Sequence, residues 1–152
     1  MRRILVVMFL SLTLLMALTG GASADSVYHT HRVPVTAVGD APLKSGMVVN
    51  IHANGTQIYA HEIYKLTGAQ PNSDYQVTLQ AYPGDTTCSG SPAFSVDTQV
   101  VHTNSGGNGS AQQFFTPQDV AGLPRGPYGI VWQFRQGGNV VYSTSCHAVT
   151  LD

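Results

Sequence analysis

The chain has 152 residues, only 10% of them charged, with 16 glycines, six histidines and a formal net charge of −1 at neutral pH. That length builds one domain around a single core. Without a basic run or stripe, the composition argues against nucleic-acid binding by counterion release and against recruitment to anionic membranes.

At the start, Arg2 and Arg3 precede an apolar run from Ile4 to Leu18, and Ala22-Ser23-Ala24 stands ahead of Asp25. These are the three regions of a secretory signal peptide. A run of about 15 residues falls short of the roughly 20 that span a bilayer. The expected organisation is a signal peptide over 1–24 and one domain over 25–152, with no membrane insertion after cleavage. Its expected location is extracellular or in the cell envelope, the periplasm if the source is Gram-negative. In that domain five basic residues face eight acidic ones, a formal charge near −3.

Beyond the signal, alternation and β-branched residues dominate, and hardly any stretch has helical period. Val27 to Val38 reads as a first strand, and Pro34 inside it points to an edge or a bulge. Met47 to Ala53 alternates Met47, Val49 and Ile51 against Val48, Asn50 and His52. The first set is expected in the core, which turns His52 to solvent. Asn54-Gly55 signals a two-residue hairpin into a strand from Thr56 to Leu66. Further strands are expected over Tyr75–Tyr82, Phe94–Thr103, Ser110–Thr116, Tyr128–Arg135 and Asn139–Leu151, with one short helical turn within Pro117–Leu123. In Tyr128–Arg135, Trp132 alternates with Ile130 and Phe134 and is expected in the core. Adjacent Phe114 and Phe115 must point to opposite faces. The Gly-rich Asn104–Ser110 segment lacks the Lys-Ser/Thr ending of a phosphate loop and the carboxylates of a calcium loop, so it is a turn.

Cys88 and Cys146 are the only two cysteines. In an oxidising compartment the pair is expected to form a disulfide, worth roughly 4 kcal/mol in the chain-entropy account. Strand-like runs about every ten residues describe an all-β sandwich or barrel.

The segment Leu66-x-x-Ala69-x-Pro71-x-x-x-Tyr75-x-Val77-x-Leu79-x-Ala81 resembles the corner between two strands in fibronectin type III and related immunoglobulin-like domains. There a Leu and a Pro precede a Tyr whose hydroxyl bonds back to the backbone upstream. The resemblance implies an immunoglobulin-like antiparallel β-sandwich of seven to nine strands, with Tyr75, Leu66 and Pro71 as its structural corner. A weaker echo stands at Leu123-Pro124-Arg125-Gly126-Pro127-Tyr128.

Histidine carries the chemistry that spacing can suggest. His29-Thr30-His31 on a strand puts two imidazoles on one face, roughly 7 Å apart, a start for copper or zinc. The other histidines are His52, His61, His102 and His147. His147 shares a face with Val149 and Leu151 and is expected to pack. Cleavage after Ser26 would instead give a Val27-Tyr28-His29 terminus able to hold copper. Tyr28, Tyr59, Tyr82, Phe114, Phe115, Trp132 and Tyr142 are candidates for an aromatic binding face. No nucleophile elbow is present. The leading expectation is an exported, non-catalytic module for binding, adhesion or envelope structure, without a cofactor and with a protein or polysaccharide partner at the cell surface. The alternative is a secreted copper- or zinc-binding protein using His29 and His31, and the third is a small secreted hydrolase.

Overall fold

Residues that pack well on a pleated surface occur in short runs between Gly, Pro and Asn turns. In the computed structural model, which describes residues 28–53 and 60–151, they form strands. These are β1 (Tyr28–Ala37), β2 (Ser45–Ala53), β3 (Ala60–Thr67), β4 (Asp74–Pro83), β5 (Phe94–His102), β6 (Gly109–Phe115), β7 (Gly126–Gln136), β8 (Asn139–Thr144) and β9 (His147–Leu151), with one helical turn, α1 (Pro117–Val120). The expected signal peptide, its cleavage site, the Asn54-Gly55 turn and Tyr59 lie outside the described residues. Thr116 and Asp119 cap α1 reciprocally, satisfying two donors that helix geometry leaves open.

The hydrogen-bonded order is β5-β4-β7-β8-β1-β2-β3-β6, all antiparallel, with β9 also on β7. The single strand expected over Asn139–Leu151 is two. β8 pairs with the second half of β7 and β9 with the first, so the two run in line along one edge of β7. The break falls at Ser145 and Cys146, where Cys146 is bonded to Cys88 across a Cα–Cα distance of 5.7 Å. The disulfide lies over Gly129: a Cβ there would come within 2.6 Å of the Cys88 sulfur and 2.3 Å of the Asp85 carbonyl. β1 pairs with β8 only over Val35–Ala37, so Pro34, just outside that stretch, interrupts no β1–β8 bond.

The two ends of the strand path meet. β5 and β6 are joined by the Asn104–Asn108 turn, by a bridge between Thr103 and Gly109, and by a 3.0 Å bond from Gln99 Nε2 to Gln113 Oε1. Toward Phe94 no ladder joins them among the described residues, and the interior opens there.

Directly opposed residues of an antiparallel pair share a face, so register sorts the inward side chains into rows. Val33, Val48, Tyr64 and Ala111 make an apolar row. Beside it run His31, Asn50, Glu62 and Gln113, then His29, His52, Ala60 and Phe115. On the facing strands Tyr75, Val77, Ala81, Tyr128, Ile130, Trp132 and Phe134 are buried, as the alternation around Trp132 requires. Phe114 is exposed while Phe115 turns inward, the split required of adjacent strand residues.

The phase expected for β2 is reversed. Val48, Asn50 and His52 are buried, whereas Met47, Val49 and Ile51 are half-exposed. Both faces of β2 carry apolar residues, and Asn50 and His52 go inward because partners await them there. At the quoted corner Leu66 and Tyr75 are buried and Pro71 is exposed. The Tyr75 hydroxyl meets the Tyr142 hydroxyl at 3.3 Å, and Tyr142 donates to the Pro42 carbonyl at 2.8 Å. The bond back to upstream backbone belongs to the weaker echo, where Tyr128 donates to the Pro124 carbonyl at 2.7 Å.

Candidate metal centre

His29 and His31 are in phase with buried Val33 and Val35, so both imidazoles are on the inward side of β1. Register then sets His52 of β2 directly opposite His29. The three imidazoles present ligand nitrogens within 4.8 Å of one another. Their rings are stacked, with centroids 5.3 Å apart for His29–His52 and His31–His52 and 6.4 Å for His29–His31. His147, on β9 beside the unpaired half of β1, meets His31 edge-on at 4.8 Å between centroids. Its Nε2 is buried without a hydrogen-bond partner.

Asn50 and Glu62 decide which nitrogen of His52 carries the proton. Asn50 Nδ2 donates to Glu62 Oε1 at 3.0 Å, so the amide oxygen faces His52 Nδ1, also at 3.0 Å. An amide oxygen only accepts, so Nδ1 carries the proton and Nε2 keeps its lone pair. Metal-bound histidines characteristically donate their other ring N–H in this way. Glu62 itself is fully buried and also accepts from Tyr64 Oη at 2.5 Å and Trp132 Nε1 at 2.9 Å. Burial pushes its carboxyl up from the ordinary glutamate value, against the lowering effect of its bonds to Tyr64, Trp132 and Asn50.

Burial, and then the neighbouring His29, holds His31 below the ordinary imidazole value. His147 is lowered by burial and then by His31. His31 and His147 therefore favour the neutral ring, the form that binds metal. Metal–nitrogen bonds of about 2.0–2.1 Å put tetrahedral ligands roughly 3.4 Å apart, so the nitrogens, now within 4.8 Å, would close by up to about 1.4 Å around an ion. Exposure runs from His29, which is open, through His31 to buried His52, so the cluster is open to solvent on the His29 side.

The remaining candidates separate. His61 stacks on exposed Phe114 at 3.9 Å and bonds Gln112. His102 pairs with Asp74 on an exposed part of the surface. Tyr82, Trp132 and Tyr142 are buried, so the aromatic set does not form one face. His52 is the member of the cluster that sequence reasoning missed. The phase shared by His29, His31, Val33 and Val35 pointed inward, but the register of β2 against β1 is not written in either strand. Comparison with family models, curated proteins and solved structures returned no match, so the site is read from its own geometry.

Proposed function

We propose that the chain is an exported metal-binding protein that holds one zinc or copper ion through His29, His31 and His52. The observation that carries this reading is the convergence of three imidazoles, one with its ligand nitrogen fixed by Asn50. Imidazole suits zinc and copper, and His147, with an unpartnered buried nitrogen beside His31, takes the fourth position. Four protein ligands close the coordination sphere, the pattern of structural or sequestering sites rather than catalytic ones. The reading takes up the alternative that His29 and His31 suggested and adds His52 to it.

Zinc titrated into the purified protein, followed by calorimetry, is expected to bind at one equivalent with submicromolar affinity. A ligand selective for the folded state stabilises it by about 2.7 kcal/mol at a hundredfold excess over Kd, so the melting temperature rises. His52→Ala and the His29→Ala/His31→Ala pair each lose more than the roughly 10–100-fold typical of outer partners. Wild type binding no tighter than these variants overturns the reading.

A further inference from the structure

Between the inward faces of β2, β3 and β6 and those of β4, β5, β7 and β9 lies a cavity of about 460 Å³. That is within the usual range for small-molecule sites. One wall is apolar, with Leu79, Ala81, Ile130 and Val149 among its residues, and Asn50 and Glu62 line the opposite wall. The mouth is the gap where β5 and β6 part. There Phe94 and Val96 are 41% and 44% exposed although both face the interior rows. An apolar surface at the open end of an interior is costly to leave wet.

The charge of the lining narrows the occupant. Among the described residues, those ionisable in its lining are Glu62, Asp97, Asp119, His52 and Tyr128, with no lysine or arginine. An anion such as a fatty acid would enter beside carboxyl groups without a fixed cation to pair with. Desolvating an unpaired charge is costly. An apolar body fits the wall, and a hydrogen-bond donor fits the acceptor-rich side.

We infer that this cavity binds a small, mostly apolar molecule that is uncharged or cationic, an aromatic or alkyl amine in chemical class, with its N–H end toward Glu62 and Asp97. The cavity borders the histidine cluster at His52 and at the Asn50 and Glu62 groups behind it, but it takes a different class of ligand, and its test needs no metal.

The experiment uses a matched pair of fluorescent probes on the metal-free protein: neutral N-phenylnaphthylamine and its sulfonated analogue, anilinonaphthalene sulfonate. Trp132, the only tryptophan, is bonded to Glu62 and serves as an internal energy-transfer donor. The neutral probe is expected to bind at one equivalent and quench Trp132, with the sulfonate at least tenfold weaker. Ala81→Phe fills the cavity from β4 and should weaken the neutral probe at least tenfold. Val96→Arg, at the exposed mouth, keeps the fold and should shrink the difference between the probes. The inference is overturned by equal affinity for the two probes, by no saturable binding, or by an Ala81→Phe protein that is folded yet binds as wild type. Should Ala81→Phe not fold, Val96→Arg decides alone, and an unchanged ratio overturns it.

Discussion

At the scale of single residues, Glu62 organises more of the interior than any histidine. Its two oxygens take donors from Asn50, Tyr64 and Trp132, on three different strands. Glu62→Ala strands these buried donors, each costing about 1–3 kcal/mol when left unsatisfied, a loss to be read from the urea midpoint. Glu62→Gln tests the relay to the metal. The amide can offer its oxygen to Tyr64 and Trp132 only by turning its NH2 toward Asn50. Asn50 must then flip, and His52 Nδ1 becomes an acceptor, which moves the ring proton to the ligand nitrogen. Zinc affinity is expected to fall about tenfold, in the range known for partners behind the ligands, although no ligand has changed. An unaltered calorimetric Kd would mean that Asn50 does not set the tautomer. Nothing adjacent to Glu62 in sequence announces this role. It arises because β3 sets Glu62 beside Asn50 and because Trp132, 70 positions away, reaches across the interior.

At the scale of elements, the corners and the stapled loop fix how strands change direction. The Tyr75 side of one corner ends on another hydroxyl, so Tyr75→Phe leaves Tyr142 still bonded to the Pro42 carbonyl. Tyr142→Phe and Tyr128→Phe each leave a backbone carbonyl without its donor. Both should cost on the order of 1 kcal/mol, and Tyr75→Phe less; equal midpoints for Tyr75→Phe and Tyr128→Phe in chemical unfolding would contradict this ordering. The Asp85 carboxylate accepts from Thr87, Ser89 and Gly90, and those bonds hold it well below the usual carboxylate range. They shape the loop in which Cys88 adopts a φ of 52° and reaches Cys146. Because a Cβ on Gly129 would collide with that loop, Gly129→Ala should destabilise by about 1–3 kcal/mol, with a matching fall in melting temperature.

At the scale of the whole molecule, the histidine cluster couples stability to pH. His31 and His147 are held below the ordinary imidazole value of 6.5. The folded protein thus resists a proton that the unfolded chain accepts. Stability from this source is intact above about pH 6.5 and is lost as pH falls through it. Glu62, pushed above its ordinary 4.5, works in the opposite sense, its contribution being lost as pH rises from there. The comparison that isolates the imidazoles is therefore His31→Gln/His147→Gln. The melting temperature of metal-free wild type, corrected by that variant, should decline between pH 7 and pH 5. A correction of zero would mean that these rings titrate freely.

Sequence alone determined that the chain is all-β, that its strands fall close to where they do, and that Cys88 and Cys146 have each other to bond. Strand periodicity, Gly and Pro turns and the cysteine count are local or exhaustive signals, so no neighbour has to be known to read them. Which face of β2 is buried was not legible, because Met47, Val49 and Ile51 are more apolar than Asn50 and His52. Only partners on other strands make the polar face the inner one. Nor could the sequence bring His52 to His29. A one-residue slip of β1 against β2 would turn one of them outward, and the register that prevents it is set by the packing of both strands against the core. The tertiary structure decided the histidine cluster for that reason: His29 and His31 come from β1 and His52 from β2, and the tautomer of His52 is fixed through Asn50 by Glu62 on β3.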